Sequence, residues 1–510
     1  MPRANTIAEL LSCGAPEAPA LGAPEGAAPL RYRDLEALAR RTAGVLNGFG
    51  IGRGDRVAIV LPNGPEMASA FVCIGACAAT APLNPAYRAD EYEFYLNDLG
   101  AKAIVLEAGV DSAARQVARR LSVPVLELHP EAEKGAGSFS LSCEAAARGA
   151  AGAGGFAAPG DVALVLHTSG TTSRPKMVPL LQGNVTATAW HIVESIALTR
   201  TDVCLNIMPL FHIHGLMAAV LASLAAGAQV SCSPGFNALR FFAWIDEVRP
   251  TWYTAVPTMH QAILARADRN AEIVARSRLR LIRSSSASLP PQVMAELERV
   301  FHTVVIEAYG MTEAAHQMAS NPLPPRARKP GSVGVAAGPE VGVMDDAGNL
   351  LPPGATGEVV IRGPNVTPGY LANPEANARA FSGGWFRTGD QGVLDAEGYL
   401  RLTGRLKEII NRGGEKISPL EVDTVLMDHP AVQQVVTFAM PHDKLGEDVA
   451  AAVVLREGQN ATERDLREFA ALRLTDFKVP RRILILSEIP KGPTGKMQRI
   501  GLAAKLGLSA

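Results

Sequence analysis

The sequence lacks any imbalance of charge: Lys and Arg number 49 against 50 for Asp and Glu, a formal net charge of -1. Such a chain carries no global field that would draw it to nucleic acid or to an anionic membrane surface, so a small, locally recognised ligand is expected. Cysteine is sparse as well. The six residues, Cys13, Cys73, Cys77, Cys143, Cys204 and Cys232, are dispersed without the paired short spacings of a zinc site and read as reduced packing residues. No apolar run approaches the ~20 residues that a membrane span requires, and no basic segment leads into an apolar stretch near the start. The final Leu508-Ser-Ala510 is not a peroxisomal-type tripeptide. These absences lead to the expectation of a cytoplasmic monomer or homodimer, with no membrane span and no nucleic-acid partner.

What is present is a large buried core. Hydrophobic residues make up 47% of 510 positions and charged residues 19%, too much for one simple domain at about 100 to 200 residues each. Helical and short apolar patterns alternate from early on: Tyr32 to Phe49 reads as an amphipathic helix, Arg56 to Leu61 as a buried strand, and Glu66 to Cys77 as a second helix. Alternation of this kind predicts an α/β fold of stacked βα units. The stretch Ala145 to Gly160 contains a loose dinucleotide-binding pattern at Gly152-Ala-Gly154-Gly-Phe-Ala157. It follows an Ala-rich segment rather than a strand, so a loop is the better reading.

Further on, the apolar run Asp161 to His167 predicts a strand feeding Thr168-Ser-Gly-Thr-Thr-Ser-Arg-Pro-Lys176. Hydroxyls at Thr168, Ser169, Thr171 and Thr172, close backbone approach at Gly170 and a cation at Lys176 suit a polyphosphate. The Gly-Lys-Ser/Thr ending of a Walker A loop is missing, which disfavours a P-loop kinase or GTPase. Beyond it, strands are expected at Val304 to Glu307, Gly398 to Thr403, Val432 to Phe438, Val449 to Leu455 and Ile483 to Leu486, with helices at Ser418 to Met427 and Glu463 to Leu474. A boundary at Gly404 divides the chain into a large N-terminal domain, 1–403, and a small α+β domain, 404–510.

Six motifs follow one another in order: the phosphate loop, Pro209-Leu-Phe-His-Ile-His-Gly215, Glu307-Ala-Tyr-Gly-Met-Thr-Glu313, Trp385-Phe-Arg-Thr-Gly-Asp390, Gly404-Arg-Leu-Lys-Glu-Ile-Ile410 with Arg412-Gly-Gly-Glu-Lys416, and Pro490-Lys-Gly-Pro-Thr-Gly-Lys496. In these motifs the sequence resembles the adenylate-forming superfamily of acyl-CoA synthetases, firefly-type luciferases and peptide-synthetase adenylation domains. The resemblance implies that a carboxylate attacks the α-phosphorus of ATP, pyrophosphate leaves, and the acyl-adenylate is then taken by the thiol of coenzyme A. It implies a large domain of stacked α/β subdomains with a small mobile C-terminal domain, and a hinge near Gly404, where relatives carry Asp or Lys.

By the same resemblance Thr312 binds at the α-phosphate, Glu313 holds Mg2+, Glu307, Ala308 and Tyr309 bind the nucleotide with the Tyr309 ring on adenine, and Asp390 with Arg405 takes the ribose. Lys496 stabilises the charge that develops during adenylation, and Arg412, Gly413 and Gly414 line the coenzyme A channel. Read alone, Glu313 would be a helix-capping residue, Tyr309 core packing and Lys496 a solvated lysine.

The acid pocket is expected to be lined by His212, His214, Ser286 and His316, hydrogen-bonding groups suited to a second carboxylate on the substrate. The strings Thr251 to His260, Arg283 to Leu289, Glu307 to Pro325 and Gly404 to Asp423 are most similar to the oxalyl-CoA synthetases of plants and fungi. They differ at Ser285, where those enzymes often show Cys, and at Gly310, where they often show Ala. A small dicarboxylate, oxalate foremost, is the implied acid. A general acyl-CoA ligase and an enzyme loading a separate carrier protein are the alternatives.

Overall fold

The computed structural model describes residues 3–143, 151–168, 175–490 and 497–508. The chain packs as two units, the first built from residues up to Thr168, Pro175–Val341 and Ile361–Phe381, the second from Gly342–Val360 and Ser382 onward.

The first unit holds two large sheets. One runs in the order Phe139–Cys143, Val125–Pro130, Ala103–Glu107, Arg56–Val60, Ala79–Pro82, Val162–His167, Met177–Leu181. Its inner pairs are parallel and both edge pairs antiparallel. Crossover helices Pro65–Gly75, Ala89–Leu99 and Ala113–Arg120 cover it. Strands buried on both faces become continuous apolar runs, and Val57 to Val60 and Ala103 to Leu106 are such runs. The second sheet has nine strands, with a parallel core of Leu281–Ser284, Trp252–Ala255, Val203–Asn206 and Gln229–Cys232. At one end the strand Val304–Met311 continues past its expected length, because an antiparallel partner, His316–Ser320, takes up its far half.

In the second unit, Trp385–Leu394 and Leu400–Arg405 form an antiparallel ribbon. The latter strand starts two residues later than the sequence pattern placed it, since Gly398 sits in the turn at φ +82°. It also runs two residues further, so Gly404 stands within it at φ +152°, paired with Gln391. A five-stranded sheet of Glu415–Ile417, Ile410–Arg412, Gly446–Leu455, Val432–His442 and Arg482–Ile485 follows. Helices Pro419–Met427 and Glu463–Ala471 pack Val422, Leu426 and Leu466 against Ile410, Ile417 and Val449 in one core. The first helix starts where Ser418 Oγ accepts the Glu421 N–H and proline occupies its first turn. The second starts at a Thr462/Asp465 capping box and stops at Ala471, three residues short of expectation. Among the described residues no helix is long and apolar enough to cross a membrane.

Candidate active site

The strand Val162–His167 carries the chain to Thr168, and its antiparallel partner Met177–Leu181 leads away from Lys176. The loop between is closed by two bonds, Thr168 N–H to Lys176 O at 2.9 Å and Lys176 N–H to Thr168 Oγ1 at 3.2 Å. Ser169, Gly170, Thr171 and Thr172 lie outside the described residues, as does Lys496. The Lys176 ammonium stands 4.5 Å from the Tyr370 ring centroid, a cation–π contact. The Tyr370 hydroxyl donates in turn to Glu313 Oε1 at 2.9 Å. Burial, with the Glu313 charge next, pushes the Tyr370 phenol well above its usual range, so it remains a donor. The end of the expected phosphate loop and the expected metal ligand are thereby joined through a tyrosine that the sequence motifs did not single out.

Glu313 lies in the single 3-10 turn Thr312–Ala314, and its backbone oxygen accepts from Thr367 N–H at 2.7 Å. The next two residues are strained: Ala315 has φ +48° and His316 φ +103°, values uncommon for residues with a side chain. This turn aims His316 inward, to 1% exposure, where its ring stacks on His214 at 4.9 Å and 22°. The strand before it has a register shift between Tyr309 and Gly310. A Cβ built at Gly310 would lie 1.7 Å from the His316 carbonyl oxygen, so no larger residue fits there with this turn in place.

His214 opens a π-helix, His214–Leu221, a form frequent at functional sites. Its Nδ1 is 3.0 Å from Ser286 Oγ and its Nε2 2.6 Å from Thr254 Oγ1. Ser286 follows the strand Leu281–Ser284 at φ +72°. Three expected acid contacts, buried His214 and His316 and half-buried Ser286, therefore meet around the His214 ring. His212 sits two residues earlier, half-buried, with its ring tilted against Phe211 at 4.7 Å.

Behind this cluster lies Arg283, 0% exposed, which opens the similar string Arg283 to Leu289 but had no role assigned from the sequence. The only signal was a cation between Ile282 and Ser284 in a strand that otherwise reads as buried. Burial holds its guanidinium down at about 9.

Glu307 turns its carboxyl into the interior, at 2% exposure, where Oε1 accepts the Leu289 N–H at 2.8 Å. Burial, partly offset by that bond, pushes its pKa up to about 8. The stability contributed by the neutral carboxyl is fully present below the ordinary value of 4.5 and is lost as pH rises to about 8. Glu307→Gln should thus leave thermal stability near the parent's at pH 5 and raise it at pH 8, by ~1.4 kcal/mol for every tenfold by which folding strengthens proton binding. Thermal melts at the two pH values check this, and equal effects at both would contradict it.

In the second unit, strand register sets Asp390 opposite Arg405, and Arg405 Nε lies 3.3 Å from Asp390 Oδ1. Arg412, Gly413 and Gly414 form a hairpin tip whose glycines, at φ +60° and +102°, supply the positive angles a tight turn demands. Arg412 Nε donates to Asp448 Oδ1 at 2.7 Å. Burial raises the Asp448 carboxyl, but Arg412 and the Val449 N–H outweigh it and hold the group below its usual range.

The sequence profile described as AMP-binding enzyme matches residues 13–371, and that of the AMP-binding enzyme C-terminal domain matches residues 421–496. A protein described as oxalate–CoA ligase from Arabidopsis thaliana is 45% identical over 476 residues, 92% of this chain and 91% of that one. Another so described, from Saccharomyces cerevisiae, is 41% identical over 470 residues, 88% and 86% of the two chains. The solved structure of ATP-bound MatB from Rhodopseudomonas palustris matches with a TM-score of 0.88 at 30% identity, covering 98% of each chain.

Proposed function

We propose that this chain, which belongs to the family of AMP-binding enzymes, is an ATP-dependent, AMP-forming acid:CoA ligase whose acid is oxalate. In the first half-reaction one carboxylate oxygen of the acid bonds to the α-phosphorus of ATP and the bond to pyrophosphate breaks. In the second the coenzyme A thiol loses its proton, its sulfur bonds to the acyl carbon, and AMP leaves. The observation that carries the acid assignment is the cluster of buried His214 and His316 with half-buried Ser286, which offers hydrogen-bonding groups rather than apolar surface to the far end of the substrate. The two oxalate–CoA ligase relatives support the same reading.

The nucleotide roles follow. Lys176 and the hydroxyl loop from Thr168 to Thr172 neutralise the phosphates, Thr312 meets the α-phosphate, and the segment Glu307, Ala308 and Tyr309 flanks adenine. Asp390 and Arg405, set opposite each other by strand register, take the ribose. Glu313 is a hard oxygen donor of the kind Mg2+ prefers, and its carboxylate is oriented by Tyr370. Mg2+ would be held there together with ATP phosphate oxygens and would supply charge neutralisation. Lys496 adds its charge as adenylation proceeds. Gly404 is the pivot of the domain that carries it, and its φ of +152° suits a residue without a side chain. Arg412, Gly413 and Gly414 receive coenzyme A, and the Asp448 bond fixes the Arg412 side chain. The protein acts as a monomer or homodimer in the cytoplasm.

A panel of acids assayed for ATP-dependent pyrophosphate release tests the assignment. Oxalate should exceed acetate, medium-chain fatty acids and cinnamate in kcat/KM by roughly 100-fold or more, as expected where buried polar groups would otherwise be left unpaired. Preference for a fatty acid or a cinnamate would instead make the protein a general acyl-CoA ligase. Coenzyme A should also outrun any phosphopantetheinyl carrier protein as acceptor.

A further inference from the structure

Arg283 is a fully buried guanidinium without a carboxylate partner among the described residues. Its two acceptors are neutral: Thr254 Oγ1 at 3.4 Å from one terminal nitrogen and Gln317 Oε1 at 3.2 Å from the other. Its Nε has none. Burying a cation against neutral groups is costly, and folds seldom retain one unless an anion arrives to meet its field.

The two acceptors are arranged with fixed polarity. Gln317 Nε2 donates to Ala337 O at 3.1 Å and to Ser195 Oγ at 2.7 Å; a carbonyl cannot donate, so the Gln317 amide must face it with nitrogen and leave its oxygen for Arg283. Thr254 Oγ1 accepts from Arg283, and 2.6 Å away lies His214 Nε2. The Thr254 hydroxyl hydrogen is satisfied only by donation to that nitrogen. Neutral His214 then carries its proton on Nδ1 and donates to Ser286 Oγ at 3.0 Å. With its oxygen accepting, Ser286 keeps its own hydrogen for another acceptor.

We propose that Arg283 is a positioning residue that selects a doubly charged acid: through Thr254 and His214 it orients the Ser286 hydroxyl as a donor to the second carboxylate, and its charge attracts that carboxylate. Chains of hydrogen bonds anchored on a cation polarise one another, so the last donor is strengthened. The inference rests on the dicarboxylate reading above and deepens it.

The test uses the full-length enzyme with oxalate and with glyoxylate, which keeps the reacting carboxylate and replaces the other with an aldehyde. Arg283→Met should raise the oxalate KM roughly 30-fold, change glyoxylate kcat/KM less than about 3-fold and leave the ATP KM alone. Thr254→Val, which cuts the link while keeping the cation, should move oxalate the same way, and Thr254→Ser should restore it. Equal losses on oxalate and glyoxylate in Arg283→Met would overturn the proposal. If that variant does not fold, an unchanged oxalate KM in Thr254→Val overturns it, and a raised one rescued by serine supports it. Should the parent enzyme use no dicarboxylate at all, the substrate reading itself fails, a result visible before any variant is made.

Discussion

Lys496→Ala should lose acyl-adenylate formation by roughly 1000-fold while converting supplied oxalyl-adenylate to the thioester at nearly the parent rate. As the carboxylate attacks, negative charge builds on the α-phosphate oxygens and on the departing pyrophosphate. A cation brought to those oxygens lowers the barrier because its interaction is stronger in the transition state than with ATP at rest. The second half-reaction releases AMP from an adenylate already made, and the proposed role of Lys496 ends before it. ATP–pyrophosphate exchange measures the first step and coenzyme A capture of synthetic adenylate the second. Equal loss in both assays would show that Lys496 holds the fold or the nucleotide generally.

The second large effect belongs to His316. His316→Ala should raise the oxalate KM by roughly 10- to 150-fold, the range expected when a hydrogen bond to a charged group is removed from a buried site, with the ATP KM within about 2-fold of the parent. The ring is 1% exposed and stacked on His214, so its loss removes both the proposed contact to the acid and a wall of the neighbouring imidazole. Steady-state kinetics with each substrate varied separately makes the distinction. A parallel rise in both KM values would assign His316 to the support of the turn Thr312–Ala314 instead.

Much of the architecture was legible because parallel strands buried on both faces are unbroken apolar runs, and Arg56–Val60 and Val162–His167 could be read almost to the residue. The order of the motifs made the chemistry legible through resemblance. The interior around the His214 ring was not. Arg283 is one charged letter in a short strand, and its meaning depends on Thr254 and Gln317, which come from other strands. Tyr370 joins Lys176 to Glu313 across large sequence separations, and no local pattern announces it. Strand ends shifted where long-range pairing decided them, as at Val304–Met311, whose last residues pair with His316–Ser320.

The close approach of Gly310 to the His316 carbonyl makes the two positions a single inheritable unit. A side chain at 310 and this path for the turn exclude one another, so neither can drift while the other stays put. Remodelling the pocket by grafting a relative's 312–316 segment would therefore require residue 310 to travel with it. A library that varies the pocket lining but holds residue 310 constant would sample only acids compatible with one backbone.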